Sequence, residues 1–298
     1  MNLPAGKTVL VTGASGYIGR RVVELLLDAG TCRVIAGTRT PERAADLHTR
    51  GAEVRKVDFD DPRGMEEAFR GADRLLMVST DAVGEPGRRL RQHNAAIKAA
   101  ASASIKHLVY TSFARSETNA PIAICSDHYG TEQTLRASGL SYTALRNNLY
   151  AESILRRMPG IIAKGEVIGL WGGGGIAYIA REDCARVAAA VVASDRASSG
   201  EIEVSGPEVI SDEQLASLIS EITGNSVRFT AMPPDALLNY LIADGMPEAR
   251  ARSKVSFDAA LSDGYLGFTT DAVAQLTGRP PMHIRDFLVS AGITRMTA

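Results

Sequence analysis

"VTGASGYIG", residues 11–19, decides how the rest of the chain is read. Gly13, Gly16 and Gly19 stand in G-x-x-G-x-x-G spacing. Before them, "KTVLVTG" (7–13) reads as a buried strand. After them, "YIGRRVVELLLDAG" (17–30) reads as a helix that Gly30 closes. A glycine triplet alone says little, but between a strand and a helix it says much more. Gly13 permits a tight turn, Gly16 lets backbone approach a pyrophosphate, and Gly19 lets the helix pack close to the strand. The helix N-terminus then offers N–H groups and the positive end of its dipole to phosphates. The stretch predicts a dinucleotide site contacted by Gly13, Ser15, Gly16, Tyr17 and Ile18.

The following residues repeat the alternation. Apolar runs at 32–39, 52–60, 72–80, 105–112 and 141–146 read as strands, with helical patterns at 41–51, 61–71, 86–103 and 126–138 between them. Strands alternating with helices imply parallel βαβ units with right-handed crossovers. The expectation is an α/β Rossmann-type doubly wound parallel sheet over about residues 1–150. Residues 151–298 form a smaller, mostly helical substrate-binding region whose later segments rejoin the first. There the pattern loosens into a helix at 147–157, a glycine-rich loop "GLWGGGGIAYIARED" (169–183) and a helix at 183–194. A short strand (200–206), a helix (211–223) that Ser211 caps, and a last strand "NSVRFTAMP" follow.

Composition bounds the function. Of 298 residues, 45% are hydrophobic and 22% charged, the profile of a globular chain. A formal net charge of −1 gives no electrostatic footprint for nucleic acid or an anionic membrane. No apolar run approaches the ~20 residues of a spanning helix. The N-terminus lacks the pattern of a signal peptide. Cys32, Cys125 and Cys184 are isolated and odd in number, which suggests a reducing compartment and neither a disulfide framework nor a metal site. The expectation is a cytoplasmic protein, monomeric or homodimeric.

The end of the second strand selects the dinucleotide. An acidic residue there would bond a ribose 2′-hydroxyl; here the sequence is "GTRTPER". Arg39, with Arg43 behind it, suits a 2′-phosphate, because a guanidinium bonds two oxygens at once. NADPH is therefore the expected cofactor. Topology puts Asp58 and Phe59 near the adenine, and puts Ser79, Thr80 and Ser112 at strand ends on the same carboxyl edge. Asn147 follows the sixth strand and suits a carboxamide or a substrate carbonyl, or caps the next helix.

"SDHYGTE" (126–132) raises the question of a proton donor. Tyr129 has Gln133 where a Tyr-x-x-x-Lys pair would have lysine, so its pKa stays near ~10. His128, since histidine titrates near neutrality, and Tyr150 are the other candidates, although a histidine on a helix's first turn is more often a surface or capping residue than a catalyst. Trp171, ahead of Gly172–Gly175, reads either as an aromatic wall for a planar substrate or as a core residue. The glycines read as a mobile lid or a plain turn.

Taken together, these segments resemble the NmrA-like branch of the short-chain dehydrogenase/reductase superfamily, over nearly the whole chain. "VTGASGYIG" is similar to the branch's glycine motif, and "HYGTE" to an H-x-x-T-E pattern that replaces Y-x-x-x-K. "ALRNNLYAES" resembles its R-N-x-x-Y segment, and "LTGRPPMHIRDFL" its C-terminal signature. The nearest patterns are those of type-2 NAD(P)H:quinone oxidoreductases and triphenylmethane reductases, which use NADPH to reduce quinones or cationic dyes. The resemblance implies that Asn147 through Glu152 line the nicotinamide end with Ile179 nearby; Asn148 and Trp171 are the candidates for meeting the substrate. It implies an NADPH-dependent reductase acting on a quinone-like, planar aromatic small molecule. A tailoring reductase for aromatic or polyketide-like carbonyls, and a non-catalytic NADP(H)-sensing regulator, stand as alternatives.

Overall fold

All four residues of β1 (Thr8–Val11) are buried, as a strand covered on both faces requires. The computed structural model describes residues 6–82, 84–195 and 199–293. After β1 come α1 (Tyr17–Ala29), β2 (Arg33–Thr38), α2 (Ala45–Thr49), β3 (Glu53–Lys56), α3 (Pro62–Phe69), β4 (Arg74–Met77) and α4 (Arg88–Ser102). Then follow β5 (His107–Phe113), α5 (Ile124–Ala137), β6 (Tyr142–Asn147), α6 (Glu152–Lys164), β7 (Glu166–Leu170), α7 (Arg181–Ala193) and β8 (Gly200–Val204). The chain finishes with α8 (Asp212–Thr223), β9 (Arg228–Met232), α9 (Pro234–Ala243), α10 (Glu248–Ser262), α11 (Ala272–Thr277) and α12 (Ile284–Ser290).

Seven strands form one parallel sheet in the order β3-β2-β1-β4-β5-β6-β8. Strand order reverses between β1 and β4, which opens a crevice at their carboxyl ends. One face of the sheet is covered by α1 and α7, through Val22, Val23, Leu26, Val187 and Val191. The other is covered by α3, α4 and α5, through Met65, Phe69, Ile97 and Leu135. A third core, built on Ile154, Ile161, Leu215, Ile219 and Leu288, lies under the two-stranded parallel sheet of β7 and β9. The expected Rossmann-type α/β fold with a mostly helical C-terminal region is what forms. The second half also returns to the first: β8 pairs with β6, and α7 packs on the sheet beside α1.

Two stretches differ from the sequence reading. The helix expected at 147–157 begins only at Glu152. Residues before it are bound elsewhere: Asn147 ends β6, Asn148 N–H donates to Val204 O at 2.8 Å, and Tyr150 bridges to Ile179. Strand β7 was not foreseen; its partner β9 lies about sixty residues away and the run "EVIGL" is short. Ser211 does cap α8, in a full capping box with Gln214.

Candidate functional site

The glycine turn lies at the strand-order reversal. Gly13 has φ +64°, in the left-handed region that favours glycine. Gly16 N–H closes onto Gly13 O at 2.8 Å. A Cβ on Gly19 would overlap the Gly13 carbonyl, so the helix can rise this close to the turn only without a side chain there. No side chain caps the N-terminus of α1, and its first turn has no acidic residue. Its N–H groups and dipole are left for an anion.

Hydroxyls fasten this turn to its neighbours. Thr12 Oγ1 donates to Leu76 O (3.3 Å) and accepts from Val78 N–H (2.9 Å), tying β1 to the end of β4. Thr38 Oγ1 donates to Ser15 Oγ at 3.0 Å, tying the turn to the end of β2. Arg39, the next residue, is exposed beside that contact. Tyr17 is exposed on the turn and Ile18 is buried. Beyond β3, Asp58 is half-buried, and Phe59 packs into the core edge-on to His93, with centroids 6.3 Å apart.

Among the described residues, five buried side-chain polar atoms have no hydrogen-bond partner. Four gather along the carboxyl edge: Thr80 Oγ1, Arg89 Nη1, Gln92 Oε1 and Asn147 Oδ1. Thr80 follows β4, and its backbone is held by Arg89 Nε (2.8 Å) and His93 Nε2 (3.0 Å). Gln92 Nε2 bonds Asp60, just beyond β3, at 2.9 Å. An unpaired buried polar atom costs roughly 1–3 kcal/mol, so four along one crevice mark a place built for a polar ligand. Arg89 and Gln92 were missed from sequence. They sit in "RRLRQH", which reads as an ordinary exposed helix start, yet both are buried.

At the far end, Asn147 Nδ2 donates to the Tyr150 hydroxyl at 3.4 Å, leaving Oδ1 for a ligand. Asn147 is not a helix cap; Ala151 precedes α6. The half-buried Tyr150 ring lies under the Arg181 guanidinium (5.2 Å), and burial pushes its phenol pKa up. Ile179, fully buried, bridges to Tyr150. Asn148 uses both ends of its amide: Nδ2 donates to Leu266 O (3.1 Å) and Oδ1 accepts from Leu149 N–H (2.7 Å). It ties the 265–268 segment to the sheet edge. Ser79 N–H is held by Thr111 Oγ1 at 2.8 Å.

His128 faces neither substrate nor solvent. It is 4% exposed, shares a hydrogen bond between Nδ1 and the Tyr110 hydroxyl (2.7 Å), and lies near the rings of Tyr110 and Phe113. Burial, then the Arg89 charge, holds its pKa well below the usual histidine value, so it is neutral near pH 7. Its motif partners also turn inward. Thr131 Oγ1 meets His93 Nδ1 at 2.9 Å. Glu132 takes a two-pronged contact from Arg146 (3.0 and 2.7 Å) and accepts from Ser112 Oγ at 2.6 Å, which engages the Ser112 hydroxyl. Tyr129 pairs with Thr118 on the surface at 2.8 Å.

Trp171 is 68% exposed, which removes the core reading. Three of the four glycines after it are close-packing residues, and Gly173 has open space around it. A Cβ on Gly172 or Gly174 would overlap the Ser262 backbone, and one on Gly175 would overlap Val209 and Ile210.

The family model of the NmrA-like family matches residues 5–263. The chain is a member of the NmrA-like family. This NmrA-like protein is 31% identical to Quinone oxidoreductase 2 of Escherichia coli (strain K12) over 274 residues, 91% of this chain and 94% of that one. The structure of the NADPH-dependent quinone oxidoreductase of Escherichia coli in complex with NADPH superposes with a TM-score of 0.87 at 30% identity. The match covers 95% of this chain and 99% of that one. Triphenylmethane reductase of Citrobacter sp., complexed with NADP(H), superposes with a TM-score of 0.85 at 28% identity, again over 95% and 99%. Among the described residues, no helix is long and apolar enough to cross a membrane.

Proposed function

We propose that this NAD(P)H-dependent oxidoreductase uses NADPH and passes its hydride to a quinone or a similar planar conjugated acceptor. The cofactor half rests on fit. The uncapped α1 N-terminus and the glycine turn suit a pyrophosphate, exposed Arg39 beside Ser15 suits a 2′-phosphate, and Asn147 Oδ1 suits the carboxamide N–H₂ of a nicotinamide. Thr80 Oγ1 and Arg89 Nη1 offer further partners along the crevice. Bound NADPH supplies a hydride; the chain's residues hold it, orient it and exclude water. The solved complexes of an Escherichia coli quinone oxidoreductase and a Citrobacter triphenylmethane reductase support the same cofactor.

One observation carries the acceptor. Of the three side chains the sequence offered as acids, two are shifted away from neutral pH and the third is engaged on the surface. His128 is buried with its pKa depressed, the Tyr150 phenol is raised, and Tyr129 pairs with Thr118. An acceptor whose reduced anion is delocalised needs no such acid, since water can protonate it; a quinone is of that kind. Names among the relatives point the same way. The test is NADPH oxidation by the purified protein, followed at the nicotinamide absorbance over a panel of benzo- and naphthoquinones. Confirmed NADPH binding with no quinone-dependent oxidation would overturn the acceptor assignment and favour the sensing alternative.

A ketone or enone reductase is the second reading, and Glu152 favours it. Burial raises its carboxyl pKa, and it takes the Arg181 N–H (3.2 Å) while the Arg181 guanidinium covers Tyr150. Under this reading Glu152→Gln abolishes a pH-dependent ketone reduction. Under the quinone reading it leaves the pH profile of quinone reduction unmoved.

A further inference from the structure

The loop after β5 carries a cation that no acceptor takes among the described residues. Arg115 has φ +50°, one of three non-glycine residues with positive φ among the described residues. Such a conformation is strained for a residue with a side chain and persists where neighbours enforce it. Here they do. The Glu203 carboxylate takes the Arg115 N–H at 3.2 and 3.3 Å, and the Tyr265 hydroxyl donates to Arg115 O at 2.5 Å. The guanidinium carbon lies 4.5 Å from the centre of the Phe268 ring and 5.7 Å from that of Tyr265. An aromatic ring attracts the guanidinium charge without accepting its N–H groups as a carboxylate or carbonyl would. Among the described residues no carboxylate or carbonyl takes them. Glu203, the nearest acid by backbone contact, instead meets the Arg146 side chain at 3.2 Å.

The position matters as much as the charge. Phe113, the last residue of β5, pairs with Asn147 in register, and Ala114 N–H bonds Asn147 O at 3.0 Å. Arg115 is the next residue. The aromatic residues beneath it flank Leu266, whose carbonyl accepts from Asn148. Arg115, Phe268 and Tyr265 thus border the Asn147–Asn148 end of the crevice, where an acceptor would meet the nicotinamide.

We propose that Arg115 recognises an anionic substituent (a carboxylate, sulfonate or phosphate) on the conjugated acceptor. This rests on the reductase reading above and deepens it: the acceptor class is a planar conjugated ring or enone bearing a negative charge. Phe268 and Tyr265 hold the guanidinium in place, and its free N–H groups bond the anion.

The experiment pairs 1,2-naphthoquinone-4-sulfonate with neutral 1,2-naphthoquinone. Wild type, Arg115→Gln and Arg115→Lys are compared by the ratio of kcat/KM for the sulfonate to kcat/KM for the neutral quinone. Arg115→Gln lowers that ratio about tenfold or more, the worth of one charge-assisted hydrogen bond, and Arg115→Lys restores most of it. A purely structural role would lower both values together and leave the ratio unmoved; that result overturns the proposal. If the protein reduces neither quinone, the reductase reading falls on its own. Titration of each quinone into the NADP⁺-loaded protein, followed by calorimetry, then decides Arg115. Preferential binding of the sulfonate that Arg115→Gln erases supports the proposal, and equal binding of both quinones overturns it.

Discussion

The Tyr110 hydroxyl and His128 Nδ1 share a hydrogen bond at 2.7 Å, and this bond makes the H-x-x-T-E segment part of the core. His128→Ala leaves the Tyr110 hydroxyl with only its longer 3.3 Å contact to His93 Nδ1 and opens a cavity, so it lowers stability by about 2–4 kcal/mol. The folded fraction keeps kcat within about threefold. Urea unfolding and steady-state kinetics on the same preparation check this. A hundredfold loss of kcat at unchanged stability would put His128 into the chemistry instead.

Glu132 is fully buried, gripped by Arg146 and Ser112. Glu132→Gln keeps the shape but leaves Arg146 with only its 3.2 Å contact to Glu203 as an ion pair. Breaking a buried pair from one side costs about 3–5 kcal/mol. A thermal melt that moves by less than a degree would show the pair to be dispensable.

Acid should weaken the fold through its buried imidazoles. Burial, then the Arg89 charge, pushes the His93 pKa down to about 3. Unfolded histidine titrates near ~6.5, so between these values the unfolded chain binds the proton and the folded chain does not. Stability is therefore full above about pH 6.5 and falls as pH drops towards 3, by up to ~1.4 kcal/mol per pH unit for such a group. The depressed His128 acts in the same direction. Unfolding free energies from pH 7.5 to 4.5 measure the slope; a flat profile contradicts the buried neutral assignments.

Two glycine-to-alanine changes should act in opposite directions. At Gly19 the new methyl overlaps the Gly13 carbonyl, so Gly19→Ala displaces α1 from the turn and weakens NADPH binding at least tenfold. At Gly160, inside α6, nothing lies within 4 Å of the added carbon. Gly160→Ala stabilises the helix by roughly 0.5–1 kcal/mol. Calorimetric titration with NADPH and thermal melts report the two effects separately.

Arg39→Asp replaces the exposed guanidinium beside Ser15 with a ribose-type partner. The ratio of Kd for NADH to Kd for NADPH should fall at least tenfold, read by fluorescence titration with each nucleotide. An unchanged ratio removes Arg39 from selection.

Legibility in the sequence followed the range of the interactions. The glycine turn, the six strands of the first half and the Ser211 cap are local patterns, and each was readable within about ten residues. The interior network was not. Whether His128 faces in or out depends on Tyr110, eighteen residues away, and Arg89 looks exposed until Thr80 and the sheet edge are in place. Asn147 reads from sequence as the residue after β6, whereas it is the last residue of that strand, and the helix expected from that point is delayed because β8 and Ile179 claim the next four residues. Pairings that span fifty residues or more leave no periodic trace.

The seventh strand has a consequence for how such a chain can be cut. β8 comes from the second half, yet it pairs with β6 in the sheet of the first. A polypeptide ending near residue 150 would present an unprotected β6 edge and an α1 stripped of its α7 cover, a template for aggregation rather than a free nucleotide-binding module. Swapping acceptor regions between relatives by joining at that point therefore fails for mechanical reasons. A graft must carry the stretch from α6 through β8 with it, or leave the backbone whole and alter side chains one at a time.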